Sequence, residues 1–161
     1  MSDPYEEILA GKLTLRLPPG PRHELICSRL HTAIQASVVN FPGAKLLGPR
    51  SQIRVSQSTA LRPDLALVAS ATGKLWFAVE VVSSDDHHTD TVIKKQIYED
   101  LKVPRLWMVD PRYDNIEVYQ ATDYGLKLNG ILAGRDVLSE TLLPEFQLVV
   151  AELFASPTAQ T

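Results

Sequence analysis

The chain has 161 residues, 45% of them hydrophobic and 22% charged, with a formal net charge of −3. That length allows one domain with a buried core, and the composition is that of an ordinary globular protein. The slight acidity excludes a protein that coats nucleic acid by bulk charge, because phosphate contact needs Lys and Arg at the interface. No apolar run approaches the ~20 residues that span a bilayer. The start, MSDPYEEILAGK, lacks the basic head and apolar stretch of a signal peptide. The expectation is therefore a cytoplasmic protein with no membrane partner. Cys27 is the single cysteine, so no intramolecular disulfide and no Cys-based zinc site within one chain are expected. It reads as a small buried helix residue.

The ends, Met1 to Glu7 and Ala155 to Thr161, read as loose, leaving one domain over 1–161 with its core at about 10–154. Residues 12–17, KLTLRL, alternate Leu13, Leu15 and Leu17 with polar neighbours, as a half-exposed strand does. Pro18, Pro19, Gly20 and Pro21 stop it, and a helix follows from about Pro21, where proline is tolerated in the first turn. Leu25, Ile26, Leu30, Ile34 and Val38 give that helix its buried stripe. Residues 52–57, 64–69 and 75–82 read as strands, with a turn at Ala71-Thr72-Gly73. A second helix is predicted from about Thr89 to Leu101. RLWMVD (105–110) is another strand, residues 115–120 and 125–130 form an exposed hairpin, and 146–154 is a short closing element. The order predicts an α/β (mixed α+β) fold, a mixed sheet flanked by helices.

Residues 75–82, LWFAVEVV, are apolar on both faces, as a central covered strand is. Glu80 is the one ionisable group in that run, and an uncompensated buried carboxylate is costly. Asp64 opens the apolar segment DLALVA behind Arg62-Pro63. If the two segments pair antiparallel, Asp64 comes beside Glu80. Two converging carboxylates call for a cation, and hard oxygen ligands suit Mg²⁺ or Mn²⁺. The plainer alternative has Asp64 capping a turn and Glu80 pairing with a lysine. On the following helix Asp90, Lys94 and Tyr98 share a face by their i, i+4, i+8 spacing. Lys94 directed at the carboxylates could stabilise charge on a phosphate or position and deprotonate a water. Alternatively it forms an ordinary surface pair with Asp90.

RPD at 62–64, EVVSSDDHHTD at 80–90, KKQIY at 94–98 and VPRLWMVDP at 103–111 together resemble the Uma-type "putative restriction endonuclease" family, a bacterial group within the PD-(D/E)xK nuclease superfamily. GKLTLRLPPGPRHELICSRL is similar to that family's leading strand and histidine-headed helix. The resemblance covers roughly residues 10–154 and implies a restriction-endonuclease-like mixed β-sheet flanked by α-helices. It implies Asp64, Glu80 and the Val81 carbonyl as ligands of Mg²⁺ (or Mn²⁺), with Lys94 as a displaced catalytic lysine. His23 falls at an active-site position, with Glu24 as a weaker neighbour. The superfamily's lysine place, two residues after the glutamate, holds Val82, while Lys102 and Leu106 replace a family glycine and aromatic. His87-His88 reads as a polar loop entering a helix rather than a second metal site, and Asp110-Pro111 as turn chemistry.

The leading reading is a metal-dependent endonuclease hydrolysing DNA, with Arg50, Arg54 and Arg62 near enough in sequence to meet its backbone, and with a homodimer to cut two strands. The first alternative is a catalytically inactive nucleic-acid- or protein-binding module on the same fold. The second is a metal-free hydrolase using Asp64 and Glu80 as an acid–base pair on a non-nucleic substrate.

Overall fold

Ala10 and Gly11 both take positive φ, 51° and 83°, and so close a two-residue hairpin between β1 (Tyr5–Leu9) and β2 (Lys12–Arg16). The structure is a computed structural model that describes residues 3–157. After the hairpin come α1 (Pro21–Val38), β3 (Ala44–Leu46), β4 (Ile53–Arg54), β5 (Ala60–Leu61), β6 (Leu65–Ala69) and β7 (Leu75–Val81). A π-helical stretch, Thr89–Lys94, runs directly into α2 (Lys95–Leu101). Then follow β8 (Arg105–Asp110), β9 (Asn115–Thr122), β10 (Gly125–Ala133), β11 (Val137–Glu140), β12 (Leu143–Val149) and α3 (Val150–Phe154).

The main sheet has six strands in the order β10-β9-β8-β7-β6-β3. Only its β7–β8 pair is parallel, joined through the π stretch and α2. This is the mixed sheet with flanking helices that the element order predicted. A smaller sheet, β2-β1-β5-β4, and the β11–β12 hairpin complete the strand pairing among the described residues. One face of the main sheet is covered by α1, β12 and α3, with Phe77, Val79, Val81, Trp107 and Phe146 at its centre. The other face packs Ala78, Val82, Leu106 and Met108 against Tyr98, Leu9 and Leu61. β7 is therefore buried on both sides.

Several expectations change in detail. The N-terminal run is ordered from Tyr5 onward, because β1 is paired on both edges, with β2 and with β5. Residues 1–2 and 158–161 of the expected loose ends lie outside the described residues. β2 alternates as predicted, but its polar face is the buried one: Arg16 is 3% exposed, while Leu13, Leu15 and Leu17 are near 60%. The α1 stripe keeps Ile26, Leu30 and Ile34 but runs through Cys27 and Ser37 rather than Leu25 and Val38, which are half-buried. The strand at 52–57 shrinks to Ile53–Arg54, and β11 pairs with a β12 that starts earlier than the expected closing element. On β7 the register with β6 slips so that Val68 faces Leu75 and Leu67 faces Phe77. Trp76 is the extra residue, which puts Leu75 on the face of Ala78 and Trp76 on that of Phe77.

Lys102 caps α2 at φ 54°, ψ 43°, a left-handed conformation that costs an L-residue roughly 1 kcal/mol and that glycine adopts freely. That is the physical reason a glycine suits this place before Val103-Pro104. Lys102→Gly should stabilise the fold by about 0.5–1 kcal/mol, read as a higher denaturation midpoint at unchanged m-value; an unchanged or lowered midpoint would refute it.

Candidate active site

The site is built around the last residues of β7, whose successive side chains and backbone groups serve opposite faces of the sheet. The Leu65–Val79 pairing brings Asp64, just before β6, beside Glu80. Asp64 Oδ2 accepts the Val81 N–H at 2.8 Å. The Val81 carbonyl meets His23 Nε2 from the first turn of α1 at 2.9 Å. His23 Nε2 also lies 3.5 Å from Asp64 Oδ2. His23 is thus not a solvent-facing helix start: its side chain is 12% exposed and turned onto the end of β7. Since Val81 offers only a carbonyl here, Nε2 carries a proton, and in the neutral ring Nδ1 holds the lone pair.

On the opposite face the π stretch and α2 deliver Lys94 and Tyr98. Both Asp90 and Lys94 point inward, 1% and 0% exposed, while Val92 and Ile93 face outward. Lys94 Nζ lies 2.6 Å from Glu80 Oε2, and the Tyr98 hydroxyl donates to the same oxygen. Lys94 does not pair with Asp90. Its second partner is Glu7 Oε1 of β1, at 2.7 Å. Glu7 is saturated by that ammonium, by the Arg62 N–H at 2.7 Å and by Arg16 at 2.8 Å. Arg16 passes on to Asp90 at 2.7 Å and Asp86 at 3.2 Å. Asp90 in turn accepts the Ser83 N–H, tying the loop after β7 to the helix.

One lysine thus answers two buried carboxylates, and the charge balance is visible in their proton affinities. Burial pushes the Glu80 carboxyl up to about 8; Lys94 opposes this, while Asp64, Asp90 and Glu7 add to it. At Asp64 burial acts in the same sense, but His23, Lys94 and the Val81 N–H outweigh it and hold the carboxyl below its ordinary value. Lys94 loses solvation through burial, yet Glu80, Glu7 and Asp90 keep it an ammonium well beyond its ordinary range. It is therefore no base for a water.

The remaining expected residues fall into place around this centre. Arg50 is half-buried and committed, donating to both Glu24 oxygens at 2.7 and 2.8 Å and to Asp64 Oδ1 at 3.2 Å. Glu24 therefore serves Asp64 through Arg50. Arg62 donates to the Arg50 carbonyl and Arg54 to the carbonyls of Ser56 and Gln57. These arginines are held within the protein. Val82 is core, 2% exposed, and His87 and His88 are exposed. Asp110 accepts the Arg112 backbone and side chain, a turn as expected. Glu7, Arg16 and Tyr98 were not among the expected site residues. The signal for Glu7 was present: YEEIL and KLTLR are two alternating runs around an Ala-Gly step.

A cavity of about 290 Å³ opens beside the site, bounded by residues 16–23, 81–86 and Arg112. Its wall includes His23, Val81 and Arg16.

The proton held by Glu80 has a consequence for stability. Between the ordinary carboxylate value and about 8 the folded chain binds a proton that the unfolded chain has released, so metal-free stability falls as pH rises through that window. His23, also raised, loses its stabilising proton in the same direction. Thermal unfolding from pH 5 to pH 8 in chelator should show Tm falling, and Glu80→Gln should flatten that fall. A Tm that rises across the window would contradict it.

No curated protein matches the chain. A solved structure does: the crystal structure of a protein titled a putative nuclease belonging to DUF820, from Anabaena variabilis. It superposes with a TM-score of 0.79 over 95% of this chain and 91% of that one, at 16% sequence identity. At that identity the likeness speaks for the fold, which is the restriction-endonuclease-like fold the motifs implied. No helix among the described residues is long and apolar enough to cross a membrane. The profile of a family described as "Putative restriction endonuclease", Uma2, matches residues 2–151, and the chain belongs to that family.

Proposed function

We propose that this chain is a divalent-metal-dependent phosphodiesterase acting on DNA, folded as one domain, working in the cytoplasm. The observation that carries the reading is the register that sets Asp64 next to the end of β7, where it accepts the Val81 N–H one residue beyond Glu80, with the Lys94 ammonium 2.6 Å from Glu80. Asp64, Glu80 and the Val81 carbonyl are hard oxygen donors in a setting with more carboxylate than cation, which fits Mg²⁺ or Mn²⁺. Burial, with Asp64, Asp90 and Glu7 adding to it against the pull of Lys94, holds the Glu80 proton to about 8, and a divalent ion would displace that proton. Bound there, the metal would supply Lewis acidity toward a phosphate oxygen and a more acidic water.

The chain's own residues do the rest. Asp64 is aimed by the Val81 N–H and Arg50, and Val81 by His23, so two of the three oxygen donors are fixed in advance. Lys94, held charged by Glu7 and Glu80, stabilises the charge that grows on the phosphate in the transition state. The scissile phosphate enters from the cavity whose wall carries His23 and Val81. The three arginines on that wall are already paired, Arg16 with Glu7 and Asp90, Arg22 with Asp114, and Arg112 with Asp110. Binding of DNA therefore rests on the metal more than on free cationic side chains. Cutting both strands calls for two copies, and a homodimer is part of the proposal. The leucines exposed along the edge strand β2 support it.

The seclusion of Lys94, 0% exposed and bonded on two sides, favours a second reading, a module that binds nucleic acid without turnover. One experiment separates the two. Purified protein is incubated with plasmid and single-stranded DNA plus Mn²⁺, in parallel with Asp64→Asn, Glu80→Gln and a chelator control. The proposal expects cleavage in the wild type and a loss of at least about 100-fold in both variants and in chelator. Retained DNA binding without any cleavage would establish the binding module, and cleavage that survives chelator would move the reaction to a carboxylate acid–base pair.

A further inference from the structure

The cysteine count excludes a multi-thiolate zinc centre, but not a single thiolate among nitrogen and oxygen donors. His23 and Cys27 lie one turn apart on α1, so their side chains share a face. The strand-side carboxylate of Asp64 approaches the same face. One ligand atom from each of these three residues lies within 4.8 Å of the other two. Cys27 Sγ is 3.6 Å from His23 Nδ1. Bonds of about 2.3 Å to sulfur and 2.05 Å to nitrogen, at a tetrahedral angle, place those two atoms about 3.6 Å apart.

The histidine is already set for the task. Its Nε2–H is engaged by the Val81 carbonyl, which leaves the Nδ1 lone pair turned toward Cys27. A backbone carbonyl on the far ring nitrogen is the usual way a metal-binding imidazole is oriented. A second cavity, about 220 Å³, has Cys27, Glu24 and Arg50 in its wall. It gives an ion a route to the buried thiol and room for a water as fourth ligand.

We propose that His23 Nδ1, Cys27 Sγ and an Asp64 carboxylate oxygen form a site for a thiophilic divalent ion, Zn²⁺ being the natural choice. Nitrogen, sulfur and oxygen donors suit zinc and disfavour Mg²⁺. On binding, the Cys27 thiol gives its proton to solvent as the sulfur–metal bond forms; no electron is transferred. Asp64 is shared with the oxygen-donor site at Glu80. Zinc on the thiol side withdraws that carboxylate, so the two ions compete through one residue. The competition, and hence inhibition of cleavage by zinc, rests on the phosphodiesterase reading; the zinc site itself does not.

Co²⁺ is the probe. The wild-type protein, titrated with Co²⁺ under reducing conditions, should develop a thiolate-to-cobalt charge-transfer band in the near ultraviolet at one equivalent, and one equivalent of Zn²⁺ should abolish it. Cys27 is the only cysteine, so such a band can arise from no other residue. His23→Gln and Asp64→Asn, with native circular dichroism, should weaken Co²⁺ at least tenfold, while Glu80→Gln should retain the band. Absence of the band in the folded wild type would overturn the site, as would unchanged affinity in both His23 and Asp64 variants. A band without Mn²⁺-dependent cleavage would leave the zinc site standing and remove the nuclease reading; cleavage without a band would do the reverse.

Discussion

The ammonium of Lys94 holds the interior of this protein together. It reaches Glu80 on the central strand and Glu7 on the N-terminal hairpin, and all three groups are essentially out of water. Stripping solvation from an ammonium and from the carboxyl groups it meets is expensive, and contact distances below 3 Å, with Tyr98, Arg16 and the Arg62 N–H as further donors, are what make the arrangement tolerable. Removing one member of such a cluster leaves a buried charge unanswered, at a cost of about 3–5 kcal/mol. The small sheet is thereby tied to the main one through charge as well as through Leu9 and Leu61.

This arrangement accounts for the unusual placement of the lysine. With valine at position 82, β7 packs both of its faces in apolar core, and the cation must come from the neighbouring helix. The π-helical stretch is how it arrives: Asp90 and Lys94 both turn inward and Val92 and Ile93 are pushed to the surface. Such widened turns concentrate at functional sites. Burial outweighs the pull of Lys94, which also serves Glu7, so the Glu80 carboxyl stays raised, short of positive charge. In the proposed function that shortage is what recruits the metal.

Much of this was legible in the sequence because the informative residues broke a rule. Glu80 stood out as a carboxylate inside an apolar strand, and the antiparallel pairing of β6 with β7 brings Asp64 to it as the alternation implied. Lys94 followed from helical spacing, although its partner is not Asp90 on its own helix but carboxylates on two strands. Glu7 was hidden because an acidic N-terminal run reads as solvated, and only pairing with β2 and β5 buries it. Arg16 was hidden for the same reason in reverse, since a Leu-x-Leu-x-Leu alternation suggests an apolar face turned inward. Tertiary charge pairing reversed that face, and no local pattern encodes it. Of the plainer alternatives, the one for Glu80 holds, since it meets Lys94, while Asp64 accepts an N–H of strand β7 rather than capping a turn. In the proposed function both contacts position oxygen donors for the metal.

In the proposed function the oxygen donors at the end of β7 take one hard cation beside an undisturbed Lys94. A crystal soaked in Mn²⁺, with data collected for the anomalous signal of manganese, tests it most directly. The account predicts one strong anomalous peak within coordination distance, about 2.1–2.3 Å, of Asp64, Glu80 and the Val81 carbonyl oxygen, with Lys94 Nζ still hydrogen-bonded to Glu80. A peak elsewhere, or none at saturating Mn²⁺ near pH 8, would contradict it.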